Sequence, residues 1–204
     1  MKKKWHMEFY RVIVKCFFGL FMPVKVYDAD KLIKEGGGIL AANHKSLFDM
    51  FMIGVKIPRY PHWMAKKELF KNRIFAKIIT GCGAFPVDRG TADVGAVKTA
   101  TALLKSGELV GIFPEGTRNK EGKRDIRVHA GVAKFAIEAN VPVQPVAVWG
   151  KYRIFSRLYV RFGDPFYLPP NDPEHPYTKA DYINFACQIL DKCYDLMEKP
   201  DGNN

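Results

Sequence analysis

The chain has 204 residues, 48% of them hydrophobic and 26% charged. That size supports one domain burying roughly 70% of its unfolded surface, and that composition excludes a disordered chain. The net charge of +11 and pI near 9.5 call for an acidic partner: nucleic acid, an anionic membrane or a phosphorylated ligand. Cys16, Cys82, Cys187 and Cys193 form no CxxC pair and no zinc spacing, the pattern of reduced thiols in a cytoplasmic protein.

Residues 1–25 set themselves apart from the remainder, 26–204. They carry Lys2, Lys3, Lys4, Arg11, Lys15 and Lys25 against Glu8 alone, around the apolar run MEFYRVIVKCFFGLFM. The run falls short of the about 20 apolar residues a bilayer span needs. Lys15 interrupts it and no A-x-A site follows, which argues against a secretory signal. Wound as a helix, Glu8, Arg11 and Lys15 share one narrow stripe, and Val12, Ile13, Cys16, Phe17, Leu20 and Phe21 cover the rest. This outlines a helix lying in a membrane interface. A terminal helix packed on its own core has the same pattern.

Strands and helices then alternate. GGILAANH (37–44) reads as a buried strand, SLFDMFMIGV (46–55) as a helix, and HWMAKKEL (62–69) as a strand running into a helix over 67–81. GAFPVDR (83–89) is a short strand, 91–107 a helix ending at Gly107, and ELVGIFPEG (108–116) a strand. A polar loop follows over 117–127, then a helix over 129–140, a strand over 141–150 and strand alternation over 157–168. Thr178 and Asp181 cap a last helix that ends before Pro200. The alternation predicts an α/β fold: a single layered domain with a largely parallel sheet flanked by helices, plus the N-terminal interfacial helix. Such sheets bind ligands beyond the carboxyl ends of their strands. His44, Arg89 and PEGTR (114–118) all fall there.

Several chemistries drop out. No serine sits in G-x-S-x-G, and no HExxH occurs. Gly116 to Lys123 misses the phosphate-loop spacing, and GCGAFP (81–86) lacks the third glycine of a dinucleotide fingerprint. Cys82, between two glycines, is a nucleophile or a small packed residue. His44 and Asp49 suit a base and its orienter, yet Ser46-x-x-Asp49 is also a helix-capping signature. Taken alone, Glu115 could serve a turn and Arg89 the surface.

Together, NHKSLFD (43–49), GAFPVDR (83–89), FPEGTRN (113–119) and VPVQPVAV (141–148) resemble the four ordered blocks of the glycerolipid acyltransferase family, nearest its lysophosphatidic acid acyltransferase branch. The resemblance spans about residues 36 to 150 and makes 26–204 the acyltransferase domain. The H-x4-D pair is weak alone; FPEGTR at this separation makes it specific. The chain departs from the pattern at VHAG (128–131), where the family more often has Phe-Lys before the glycine, so His129 receives no role by analogy.

The resemblance implies acyl transfer from a thioester, on coenzyme A or acyl carrier protein, to the free hydroxyl of a lysophospholipid. An alcohol is about as weak an acid as water, near 15.7, and histidine titrates near 6.5, a gap of roughly 12 kcal/mol. A free alkoxide is therefore excluded, and His44 must take the proton as the hydroxyl attacks. Asp49 would fix the tautomer, and no covalent acyl-enzyme is needed. Arg89 and Arg118 offer planar forks to the substrate phosphate, with Lys67 as a third cation. Gly116 and Thr117 add backbone and hydroxyl donors, and Glu115 orients an arginine or the glycerol. No cofactor or metal is required. The implied partners are the lysophospholipid, the thioester donor and an anionic membrane surface, with no nucleic acid. The implied location is the cytoplasmic face of the cell membrane, peripheral or monotopic. A different phosphorylated acceptor, such as glycerol 3-phosphate or another lysolipid, fits the same residues. A nonenzymatic binder of acidic lipid or RNA fits the charge but leaves the His-Asp pair without a purpose.

Overall fold

The computed structural model describes residues 5–55, 57–59, 61–88 and 93–198. In chain order the elements are α1 (Trp5–Phe21), β1 (Val24–Tyr27), β2 (Gly38–Ala42), α2 (Asp49–Val55), β3 (Pro61–Lys66), α3 (Arg73–Gly81), β4 (Phe85–Val87), α4 (Val94–Lys105), β5 (Leu109–Ile112), α5 (Gly131–Ala139), β6 (Val143–Gly150), β7 (Leu158–Phe162) and α6 (Lys179–Glu198). The described strands form one sheet in the order β1-β7-β6-β2-β5-β3-β4. Every neighbouring pair is parallel except β6 with β7. The expected α/β architecture with a largely parallel sheet is what the chain forms.

Period-two alternation divides the core. Leu40 and Ala42 of β2 face one layer with Trp63, Leu109, Val146 and residues of α1 and α2. Ile39 and Ala41 face the other with Val110, Ile112 and residues of α4, α5 and α6. Both faces are covered, so β2 and β5 are buried along their whole length and read as continuous apolar runs.

Two local departures have physical causes. The helix expected over 67–81 divides into a 3-10 turn at Lys67–Phe70 and α3. Asn72 makes the break, because its side chain accepts the backbone N–H of Ile74 and Phe75 and caps a new helix. β1 was not expected: VKVY is four residues long and joins the sheet only by pairing with distant β7. At the end of the chain Thr178 and Asp181 form a reciprocal capping box, as read from the sequence.

α1 is two-faced. Tyr10, Val14, Phe18 and Phe21, with Met22 just past its end, pack into the core, and the Arg11 guanidinium reaches inward to the carbonyl of Ile57. The stripe expected to be polar thus lies partly on the buried side, because Arg11 satisfies a carbonyl there. Phe9, Val12, Ile13, Phe17 and Leu20 stay exposed. Among the described residues no helix is long and apolar enough to cross a membrane.

Candidate active site

β2 and β5 run parallel side by side, so their carboxyl ends deliver His44 and the 113–118 segment to one edge. Asn43 fixes the exit of β2. Its buried amide donates to the carbonyl of Val148 at 2.9 Å and accepts the Val148 N–H at 2.8 Å, extending the ladder by one side chain.

His44 then turns onto an aromatic stack. Its ring lies 4.1 Å from that of Phe113 at 17°, and Phe113 lies 4.8 Å from Trp63 at 16°. Gly111 makes room for this stack, since a Cβ there would sit 2.3 Å from the Trp63 ring. Nδ1 of His44 meets Asp49 Oδ2 at 2.9 Å. That oxygen also accepts the backbone N–H of Lys45 at 2.7 Å and of Ser46 at 2.8 Å, and Oδ1 accepts the Tyr152 hydroxyl at 2.6 Å. Asp49 is 0% exposed. The two sequence readings of Asp49 are therefore both true: it ties the turn that starts α2, and it holds the imidazole.

A carboxylate that accepts on every side takes Nδ1 as a donor, which leaves the Nε2 lone pair of His44 outward. Burial, with the Asp49 charge beside it, pushes the Tyr152 phenol far up. Tyr152 therefore stays a hydroxyl that donates.

Glu115 lies beneath His44 and is 2% exposed. Oε2 accepts the His44 backbone N–H at 2.6 Å, and Oε1 accepts from the Tyr194 hydroxyl and from Asn119 Nδ2. Burial pushes this carboxyl up, and these hydrogen bonds pull it partly back. The Asn119 N–H donates to the His44 carbonyl at 2.6 Å. Both polar groups of the His44 backbone are thus taken by the FPEGTRN segment.

His44 lines a cavity of about 650 Å³ together with Lys67, Asp88, Gly116, Thr117, Arg118 and His129, among others. Gly116 has φ of +65°, and a Cβ there would come 2.5 Å from His129, so a side chain meets both backbone strain and a clash. Lys67 pairs with Asp88 at the rim. Arg118 also lines a smaller cavity with Lys45, Ser46, Lys120, Gly150 and Tyr152. A third cavity shares Asp88, Gly116 and His129 with the first and is largely apolar, with Met64, Val97, Ile112, Phe113 and Phe135.

Of the residues singled out in the sequence, His44 and Asp49 pair directly, and Lys67, Gly116, Thr117 and Arg118 line one cavity with His44. Glu115 underlies the cavity without lining it. Arg89 lies outside the described residues. Cys82 sits against α1 and α2, away from His44, and burial pushes its thiol up to about 11, the property of a packed residue rather than a nucleophile. Tyr152, Tyr194, Asn43 and Asn119 were not singled out. The two asparagines lie inside quoted motifs, whereas nothing local marks the tyrosines.

The strand ends thus bring a histidine held by a buried carboxylate together with a cation-rimmed cavity and an apolar one. The chain belongs to the acyltransferase family, whose model, described as Acyltransferase, matches residues 23–149. It is 38% identical over 138 residues to the 1-acyl-sn-glycerol-3-phosphate acyltransferase of Bacillus subtilis (strain 168), covering 67% of this chain and 68% of that one. To the protein of the same name from Streptococcus pneumoniae (strain ATCC BAA-255 / R6) it is 36% identical over 178 residues, covering 81% and 65%. The chain thus spans about two thirds of the length of these relatives. The crystal structure of the 1-acyl-sn-glycerophosphate (LPA) acyltransferase PlsC from Thermotoga maritima has the same fold. Its TM-score is 0.68 at 23% identity, covering 100% of this chain and 86% of that one.

Proposed function

We propose that this protein moves a fatty acyl group from a thioester, on coenzyme A or acyl carrier protein, to the free sn-2 hydroxyl of lysophosphatidic acid, giving phosphatidic acid. The observation that carries the reading is His44 held through Nδ1 by a fully buried carboxylate, beside a cavity rimmed by Arg118 and Lys67. The names and identities of the relatives support the acceptor.

The acceptor hydroxyl donates to Nε2 and attacks the thioester carbon as Nε2 takes its proton. Asp49 stabilises the imidazolium so formed. The tetrahedral oxyanion then collapses, the carbon–sulfur bond breaks, and the imidazolium returns the proton to the departing sulfur. A thiol titrates near 8.5, so this expulsion is far easier than the hydroxyl's deprotonation. No group on the protein is acylated, and no metal or cofactor takes part. Glu115, through the His44 backbone, keeps the base in register rather than orienting an arginine or the glycerol.

The phosphate, with about −1.5 to −2 charges, is bound by Arg118 and Arg89, with Lys67 exchanging part of its pairing with Asp88. Gly116 and Thr117 lie at the same rim. The neighbouring apolar cavity suits a fatty chain. Residues 26–204 form the catalytic domain, seated peripherally on the cytoplasmic face of the membrane by the outer side of α1 and by α3, which presents Ile74 outward with Arg73 and Lys77, just after Lys71. α1 gives Phe18 to the core, with Tyr10, Val14 and Phe21 packed against it, so substitutions on its outer face test this seating and deletion does not.

The test is an acceptor panel. The wild-type protein acylates lysophosphatidic acid in preference to glycerol 3-phosphate and to lysolipids without a phosphomonoester. Arg118→Ala removes a charge-assisted contact of roughly 1.5–3 kcal/mol, so kcat/KM for lysophosphatidic acid falls about 10- to 150-fold. Arg118→Lys recovers only part, because the fork is gone. An equal loss toward a phosphate-free acceptor would remove Arg118 from phosphate recognition, and preferred use of glycerol 3-phosphate would reassign the acceptor.

A further inference from the structure

We propose that the loop joining β6 to β7 is a second membrane-contacting element, and that its tip, Ile154 and Phe155, enters an anionic bilayer interface together with the outer face of α1. The proposal rests on the peripheral seating stated above and deepens it.

The loop reads KYRIFSR over residues 151–157. Its two apolar residues point to solvent, Ile154 at 58% and Phe155 at 77% exposure. Phe155 does so with φ of +63°, a left-handed backbone that a bulky aromatic residue adopts only when its surroundings enforce it. The enforcing contact comes from α1: the Phe155 N–H donates to the Phe21 carbonyl at 2.6 Å. Ser156 N–H closes the loop on the Arg153 carbonyl at 3.0 Å. A strained backbone is thus spent on holding a phenyl ring in water, where it gains nothing without a partner.

That ring is not isolated. Its centroid is 6.3 Å from Phe21, Phe21 is 5.4 Å from Phe17, and Phe17 is 6.2 Å from Phe48. The chain of rings carries the loop tip into the exposed side of α1, where Phe9 is 57%, Val12 56%, Ile13 51% and Leu20 67% exposed. Soluble monomers rarely show so continuous an apolar surface unless it binds something.

Charge decides what it binds. Lys151, Arg153 and Arg157 flank the tip and are exposed, the loop holds no acidic residue, and none of the three is in an ion pair with a described carboxylate. Apolar side chains ringed by cations match a bilayer whose headgroups are anionic and whose acyl region begins just below. The same loop carries Tyr152, which donates to Asp49, so this seating brings the lipid surface beside the candidate catalytic pair.

The experiment is sedimentation of the full chain with vesicles made of phosphatidylcholine and phosphatidylglycerol in equal parts, at low and high salt. Ile154→Ser combined with Phe155→Asn removes the apolar tip, and asparagine tolerates the left-handed backbone. Partition should weaken by roughly 10- to 100-fold at both salt levels, since the lost term is apolar. Lys151→Gln with Arg153→Gln should weaken partition at low salt and match wild type at high salt. Phe155→Asn alone serves if the double variant does not fold, with a smaller loss of the same sign.

Phe9→Ser with Leu20→Ser on α1 forms the separating arm. Loss in that arm with wild-type partition for the loop variants overturns the loop proposal and leaves the α1 seating standing. Wild-type partition in both arms overturns both. A lipid-free dimer that the loop variant dissolves, with vesicle binding unchanged, assigns the patch to a second copy of the chain and also overturns the proposal.

Discussion

His44→Ala lowers kcat by about 10²–10⁴-fold, the range general base catalysis supplies, and leaves a folded protein. The ring stacks on Phe113 and is 9% exposed, so its removal costs stability in the ordinary range of about 0.5–3 kcal/mol. The backbone that Glu115 and Asn119 grip is untouched. Binding of lysophosphatidic acid should stay near wild type, because the phosphate contacts belong to other residues. Turnover measured beside a thermal melt checks this. Near wild-type turnover in a folded His44→Ala protein would remove His44 from the chemistry.

Asp49→Asn is the second large effect, and the structure specifies its form. The Oδ2 position accepts two backbone N–H groups besides the imidazole, so an amide NH₂ there would face two donors. The asparagine is therefore forced to place its carbonyl at that position and its NH₂ toward the Tyr152 oxygen. Orientation and tautomer of His44 survive, and only the negative charge is lost. Activity should fall by about 10²-fold, less than the roughly 10⁴ seen where the tautomer is also wrong. Asp49→Ala also strands the N–H groups of Lys45 and Ser46 and should destabilise the protein as well. Near wild-type turnover in a folded Asp49→Asn protein would mean that the Asp49 carboxylate does not act on the base.

Much of this was legible in the sequence, and the remainder divides by contact distance along the chain. β2 and β5 announce themselves because strands covered on both faces must be apolar throughout. β1 does not, since four residues carry too little pattern and its pairing depends on β7, more than a hundred positions later. Asn72 is visible in the sequence, but its surroundings read as one continuous helix, whereas its side chain restarts the helix. At the site, His44 and Asp49 lie five positions apart and form a local signal. Tyr152 meets Asp49 across 103 positions and Tyr194 meets Glu115 across 79, separations over which no spacing rule operates. Glu115 looked available to substrate because a sequence does not show that its carboxylate is already engaged.

The central claim is that His44 passes the acceptor proton in one direct transfer, with no acylated protein between donor and acceptor. Rapid mixing of the wild-type protein with an acyl thioester alone, followed by thiol detection and intact-mass analysis, tests it most directly. The account predicts no thiol burst and no mass increase until lysophosphatidic acid is added, and then thiol and phosphatidic acid in equal amounts. A stoichiometric burst with donor alone, with one acyl mass added to the protein, would contradict it.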